Sequence, residues 1–402
     1  MSQSQVNTPV AQSRQVRVVL STTALLSFMS VSKATALVLA ELGVGVFFAV
    51  GVARFFIGDA APWFVMAACL LSIIVRAIDI ESWAFFIPGG LIGRAERAFG
   101  PRGGSFATAT MITERLLLLV LASVLWGQYA LSFGSGWTSE WSVTARLSVL
   151  ERVTVGAILV IGFIGTRARL GIPVPSSAMA KGIWAGVLVF LSLSITGIIS
   201  ALRHGTPIVA PTLAPVSQGS VLQQGLQWLI AFALVLPVLG GGGALGRAAR
   251  EFAPPRLDAV RRTAFFVVAF VVILSVPSSF LYVALVPQTE AGVWAATPLS
   301  ALAQYLHVAP WAIGLLTVLV VGASLLILAP AAHAALEDTE QLLRRISRAS
   351  AFQGKRAGAL NLAASVAVIV TIASGGQISW LGRAYGIAIA VALLFRIAVN
   401  RR

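Results

Sequence analysis

The sequence predicts an all-α polytopic membrane protein of about ten transmembrane helices, and three observations predict it. Hydrophobic residues fill 58% of the 402 positions and charged ones 11%, with a mean hydropathy of +0.90. A soluble domain carries about 25% charged residues. Apolar segments long enough to cross a hydrocarbon core, about 18 residues or more, recur along the chain. Basic residues gather in alternate loops, which is the asymmetry that fixes topology in a bilayer.

The first apolar run, from about Val18 to Phe56, is too long for one ordinary span. It holds Ser27, Ser30, Ser32, Lys33 and Thr35, then Glu41 and Gly43. This predicts one long or interrupted spanning element near 17–42, with a re-entrant or amphipathic continuation to Phe56; two closely coupled spans are the rival. The second span covers about Pro62 to Phe86 and ends at Pro88, Gly89 and Gly90. A basic amphipathic piece with Arg94, Arg97 and Arg102 precedes the third, about Ser105 to Phe133. A polar loop with Trp137, Glu140 and Arg146 leads to the fourth, about Arg152 to Ile164 or beyond. The fifth runs from about Ala178 to Ala201, the sixth from Leu222 to Gly246 and the seventh from Thr263 to Val286. The eighth spans Trp311 to about Ala335, the ninth Ala359 to about Ala373 and the tenth Ile378 to about Val399. With a cytoplasmic N-terminus, nineteen basic residues fall on the inside and four, Arg54, Arg146, Arg152 and Arg203, on the outside. That bias predicts both termini inside, and two spans before Asp59 would break it.

The polar tail over 1–16 carries no cleavage signal after a short apolar core, so it reads as a cytoplasmic tail. The single cysteine, Cys69, excludes intrachain disulfides and a cysteine metal site. The net charge of +15 is scattered between apolar runs, which points to lipid headgroups and topology and not to nucleic acid.

The most unusual stretch is Gly240, Gly241, Gly242 and Gly243 inside the sixth span. Four glycines waste backbone entropy in a helix and supply no packing volume. Irregular backbone at membrane depth is tolerated only beside protein or a water-filled cavity. Ionisable residues at that depth are functional hypotheses by default. Lys33 suits an anionic group or a partner carboxylate such as Glu41, and equally a snorkelling lysine. Arg76 and Asp79, three apart, read as a helix ion pair. Glu114 and Arg115 point to different faces and need separate partners. Lys181 opens the fifth span as a proton carrier or a topology lysine. His333 and Glu337, one turn apart, form a relay or a polar cluster closing the eighth span; two ligands are too few for a metal. Ser324, after Gly322 and Ala323, fits close helix packing or an ion site. Tyr129 and Tyr282 read as interface anchors, and His204 and His307 as external loop residues.

Three pieces follow one another in a familiar order: IPGGLIGRAERAFGPRGG (Ile87–Gly104), GGGALGRAAREFAPPR (Gly241–Arg256) and LGRAYGIAIAVALLFRI (Leu381–Ile397). By these the chain resembles a divergent member of the amino acid–polyamine–organocation (APC) permeases, with their LeuT-type five-plus-five inverted repeat. The resemblance implies a first five-helix repeat over 17–201, an external loop over 202–221 and a second repeat over 222–402. It also implies discontinuous first and sixth helices, with breaks within Met29–Ala34 and Gly240–Gly243. The sequence departs from the family pattern in three ways. The glycine-rich signature of the first helix is replaced by FMSVSKATA, the glutamate after the sixth-helix glycine is replaced by Gly243 and Ala244, and the chain has ten spans where many relatives have twelve.

The resemblance implies alternating-access transport of a small polar solute, an amino acid above all, coupled to protons or sodium in a bacterial plasma membrane. Ser30, Ser32, Lys33 and Gly240–Gly243 are the expected solute contacts, and Lys181 and Ser324 the loosest, coupling, positions. No metal or cofactor is implied. Potassium or another cation is an alternative cargo. A non-transporting membrane subunit or sensor, binding a partner protein or a second copy, is the alternative of another class. No defensible nucleophile–base set, paired carboxylates or metal triad speaks for an enzyme. No GxxxxGK[ST] loop speaks for a primary pump.

Overall fold

The axis of the protein is α1 (Val31–Ile57), an apolar helix about 40 Å long at ~1.5 Å per residue. Ser30 caps it by accepting the Lys33 N–H at 3.3 Å, the role short hydroxylated residues favour at helix starts. Among the described residues the expected interruption of the first helix falls at Met29 and Ser30, and α1 then runs unbroken past Lys33 to Ile57. The expected re-entrant continuation to Phe56 is the second half of this one helix. α1 is apolar on every side and buried almost throughout, as an interior helix must be.

The computed structural model describes residues 29–84, 90–134, 149–171, 176–204, 220–349 and 356–401. The 1–16 tail, the Pro88–Gly89 end of the second span, the loop with Trp137, Glu140 and Arg146, and nearly all of the 202–221 loop lie outside them. A 3₁₀ turn at Gly58–Ala60 joins α1 to α2 (Ala61–Ala84). α3 (Gly90–Gly134) is two helices meeting at a corner. Gly100 there has φ 71° and ψ −168°, which only glycine adopts freely, and Pro101 starts the second helix with a preset φ. α4 (Val149–Arg169) and α5 (Ser176–Arg203) follow. α6 (Val221–Val235), a 3₁₀ turn (Leu236–Leu239) and α7 (Gly242–Glu251) together form one interrupted traverse. α8 (Arg256–Leu285), the short α9 (Pro298–Gln304), α10 (Pro310–Ala349), α11 (Arg356–Ser374) and α12 (Ile378–Asn400) complete the bundle.

Among the described residues eight stretches are long and apolar enough to cross a membrane. The first, Val31–Glu81, contains both α1 and α2. α4, with 21 residues, packs on α3 and α11 as a further helix. α10 does not end at His333 but continues for 16 residues to Ala349, carrying its acidic side chains into the bundle. Tyr129 and Tyr282 are buried and not interfacial: Tyr129 donates to the Phe47 carbonyl at 2.7 Å, and Tyr282 lies under the Arg54 guanidinium.

Arg54, expected in an external loop, is a buried structural cap. Its Nη1 donates to the carbonyls of Tyr282 (3.1 Å) and Val286 (2.8 Å), its Nη2 to that of Val283 (3.3 Å), and its Nε to Asp59 at 3.0 Å. These carbonyls end α8, where the helix dipole is negative and helical amides run out; that of Tyr282 also accepts the Val286 N–H at 3.1 Å.

Candidate functional site

The break between α6 and α7 lies beside the middle of α1. Gly45 carries no side chain, so the Pro237 backbone comes close; a Cβ there would sit 2.6 Å from the Pro237 carbonyl carbon. Gly241 takes φ 78° and ψ 0°, the left-handed conformation that turns the chain from the 3₁₀ turn into α7. The carbonyls released by the turn are held by Arg76 of α2, whose Nη2 donates to Leu239 (2.7 Å) and Gly240 (2.5 Å). Arg76 also pairs with Asp79 at 2.9 Å, the i,i+3 pair its spacing predicts.

Gly242 and Gly243 have a different reason to be bare. A methyl group on Gly242 would overlap the Arg396 guanidinium, and one on Gly243 the Arg115 guanidinium. The two arginines lie flat against the first turn of α7. They belong to one buried ionic network reaching across α1, α2, α3, α7, α10 and α12. Glu41 accepts from Arg115 at 2.6 Å and from Arg247. Arg247 also pairs with Asp338, and Arg115 reaches Glu114 at 3.4 Å and Asp338 at 3.6 Å. Arg396 bridges Asp79 (3.2 Å) and Glu114 (3.8 Å). Four arginines thus face four carboxylates, which neutralises the network inside the bundle. Buried charges are tolerated on that condition.

The void at the break itself is small, about 10 Å³, between Glu114, Gly240, Gly242 and Arg396. The fully buried Tyr385 hydroxyl lies beside Gly240 and has no hydrogen-bond partner among the described residues. Two larger cavities lie toward the end of the bundle where α7 finishes. One, of about 550 Å³, is lined by Lys33, Glu251, His333, Glu337, Gln341 and Arg356. The other, of about 190 Å³, has six arginines in its wall. Arg247, Asp338 and Gln341 border both, so the Arg247–Asp338 pair stands between them.

The structure brings Gly240–Gly243 together with Glu41 and sets the other expected contacts apart. Gly241 faces Val38 and Leu42 of α1, whereas Lys33 lies nine residues before Leu42, about 13 Å along the helix. Ser30 and Ser32 are exposed at the α1 start, and Lys33 lines the 550 Å³ cavity. Glu41 pairs with arginines and not with Lys33. Within the first helix, the described part of the expected Met29–Ala34 break is confined to Met29 and Ser30, and the Met29 N–H donates to the Glu251 carbonyl at the end of α7 (2.9 Å). Lys181 is exposed on α5, and the buried Ser324 hydroxyl donates to the Val321 carbonyl of its own helix at 2.7 Å. His333 and Glu337 form the expected i,i+4 pair at 3.5 Å. The His204 and His307 rings stack 4.8 Å apart at the opposite end. Among the described residues no group of three or more His, Cys, Asp and Glu side chains is placed to hold a metal ion.

Sequence reasoning missed Arg247 and Arg396. Arg396 carried a readable signal, a guanidinium inside an apolar final span. Arg247 did not, because it sits in a run of basic residues that topology alone explains.

No family model matches the sequence, and no curated protein matches it. Among solved structures the chain is similar to MHP1, a nucleobase-cation-symport-1 family transporter, in a closed conformation with bromovinylhydantoin bound. The TM-score is 0.56 at 15% identity, over 91% of this chain and 75% of that one. At such identity the likeness is one of fold. The chain has the LeuT-type transporter fold, with its sixth traverse broken at Gly240 and Gly241.

Proposed function

We propose that this protein is a secondary transporter that carries a small polar solute, an amino acid above all, by alternating access coupled to protons or sodium. The observation that carries the reading is the broken sixth traverse: Arg76 holds its freed carbonyls, and α7 begins with amides that no side chain caps. A helix start of this kind, with Arg115 and Arg396 against it, suits a carboxylate. A solute carboxylate would take the place of Glu114 or Glu41 on those guanidinium groups, and the orphaned Tyr385 hydroxyl supplies a further donor. The end holding both cavities is the cytoplasmic one on the basic-residue asymmetry, with both termini on that side. Lys33 then stands in the cytoplasmic vestibule, with Ser30 and Ser32 at its rim, while Lys181 and Ser324 remain coupling positions to be tested by substitution.

Reconstitution in liposomes, with labelled amino acids screened under imposed proton and sodium gradients, tests this. Uptake that Arg115→Lys and Arg396→Lys each abolish supports it. No uptake or exchange of any amino acid under either gradient sinks the amino-acid reading. A second reading, a non-transporting membrane subunit on the same scaffold, is favoured by the closed, ion-paired centre with its void of about 10 Å³. It predicts a stoichiometric protein partner on gentle extraction and no flux of any solute, rubidium included.

A further inference from the structure

The 190 Å³ cavity differs from its larger neighbour in charge. Its inner wall is the ionic network, where Arg115, Arg247 and Arg396 already face carboxylates. Its mouth adds Arg94, Arg250 and Arg345. Among the described residues none of these three makes an ion pair; Arg94 donates to the neutral amide oxygen of Asn400 at 2.6 Å. The network inside is balanced four against four, so the cavity carries a surplus of three guanidinium groups around one opening. Like charges converging on a shared hollow repel unless a counter-anion sits among them. Gly242, Gly243 and Gly246 line it beside those arginines, and the hollow is many times the ~10–15 Å³ that one water needs.

We propose that this cavity is a binding site for a multiply charged oxyanion of the phosphate type, held at its mouth by Arg94, Arg250 and Arg345 and sharing its inner wall, Arg115 and Arg396, with the proposed solute site. Three planar forks around one opening match the several oxygens of a phosphate group, which guanidinium binds in paired hydrogen bonds. A singly charged amino-acid carboxylate neutralises one of the three. The Arg247–Asp338 pair divides this cavity from the one holding Lys33, so an anion here draws Arg247 away from Asp338. The group is supplied either by free phosphate or by the headgroup of an acidic lipid, since the amphipathic first part of α3 forms one wall.

The test uses the full chain in detergent and in nanodiscs, with no transport step. Inorganic phosphate or pyrophosphate is titrated by calorimetry and by thermal melting against chloride at matched ionic strength. Saturable binding is expected, with Arg250→Gln and Arg345→Gln each weakening it about tenfold or more, the loss of one charged hydrogen-bonding group. Both side chains are exposed, so the variants fold. Arg203→Gln, at the opposite end, is expected to bind as the wild type does. If free phosphate fails but native mass spectrometry retains a phosphatidylglycerol or phosphoinositide that the two variants lose, the site stands and the lipid is its source. No binding of either, or binding unchanged in Arg250→Gln and Arg345→Gln, overturns the proposal. Neither result bears on whether the protein transports an amino acid.

Discussion

Replacing Glu41 with glutamine keeps the shape of the network and removes a charge shared by two of its arginines. Glu41 neutralises both Arg115 and Arg247. At ~4 Å and an effective dielectric of ~20, each contact is worth about 4 kcal/mol, so about 8 kcal/mol of attraction is lost. Taking Glu41 out of water costs several kcal/mol, and the variant no longer bears that cost. Arg115 retains Glu114 and Asp338, and Arg247 retains Asp338. The net loss is about 3–4 kcal/mol, within the range for breaking a buried pair from one side. With an unfolding entropy of ~2.1 cal/mol/K per residue, that lowers the melting temperature of a 402-residue chain by about 4 °C. Thermal unfolding of the purified protein, read by size-exclusion fluorescence, measures it. Adding Arg247→Gln to Glu41→Gln should recover part of the loss, because the second change removes an uncompensated charge. If Glu41→Gln melts with the wild type, or if the double variant is less stable than the single by the full cost of each, the network is not the coupled unit described.

Three further outcomes are expected. Gly241→Ala should cost about 1–2 kcal/mol of left-handed strain and press on Leu42, whose Cγ would lie 3.0 Å from the new Cβ, so the melting temperature should fall. Arg54→Ala should destabilise by about 3 kcal/mol, measured the same way, because it strips three carbonyls at the end of α8, with Arg54→Lys intermediate. In the loop between α8 and α10, a hydrogen bond from Tyr305, and next one from Trp294, holds Glu290 below the ordinary carboxylate value of 4.5. Its stabilisation is present above that value and lost as pH falls through the lowered one, so acid should change the Trp294 emission, read as wild type minus Trp294→Phe. Glu290→Gln should remove that transition.

The polytopic, all-helical architecture was legible because apolar length acts locally. The interruption of the first helix was legible as well: serines and a lysine inside a long apolar run mark it, and among the described residues it falls at Met29 and Ser30, where Ser30 caps α1. The site was half legible. Arg76, Asp79, Glu114 and Arg115 drew attention as charges at membrane depth, and the glycine run marked the break. Their partners come from helices up to 317 residues away, as in Arg396 with Asp79, and no local pattern encodes such pairings. Glu41 was read against Lys33, its neighbour in sequence, when its real partners stand on α3 and α7.

The glycine run lacks the glutamate that the resemblance to APC permeases leads one to expect, and the structure gives a reason that can be tested by sign. Gly241 is the glycine of the run with a positive φ. Gly243 lies within α7, where alanine is favoured over glycine by about 1 kcal/mol if nothing intervenes. What intervenes is the Arg115 guanidinium, which would overlap the new methyl. Gly243→Ala should therefore destabilise the wild type while stabilising, or leaving unchanged, an Arg115→Lys background, whose compact ammonium leaves the first turn of α7 clear. The double-mutant cycle should give a coupling of at least about 1 kcal/mol. Equal effects in the two backgrounds would show that Gly243 is bare for some reason other than the arginine. On the present geometry a glutamate side chain at that turn has no room. The negative charge it would bring is supplied from other helices by Glu41 and Glu114, which leaves the α7 start lined by arginine.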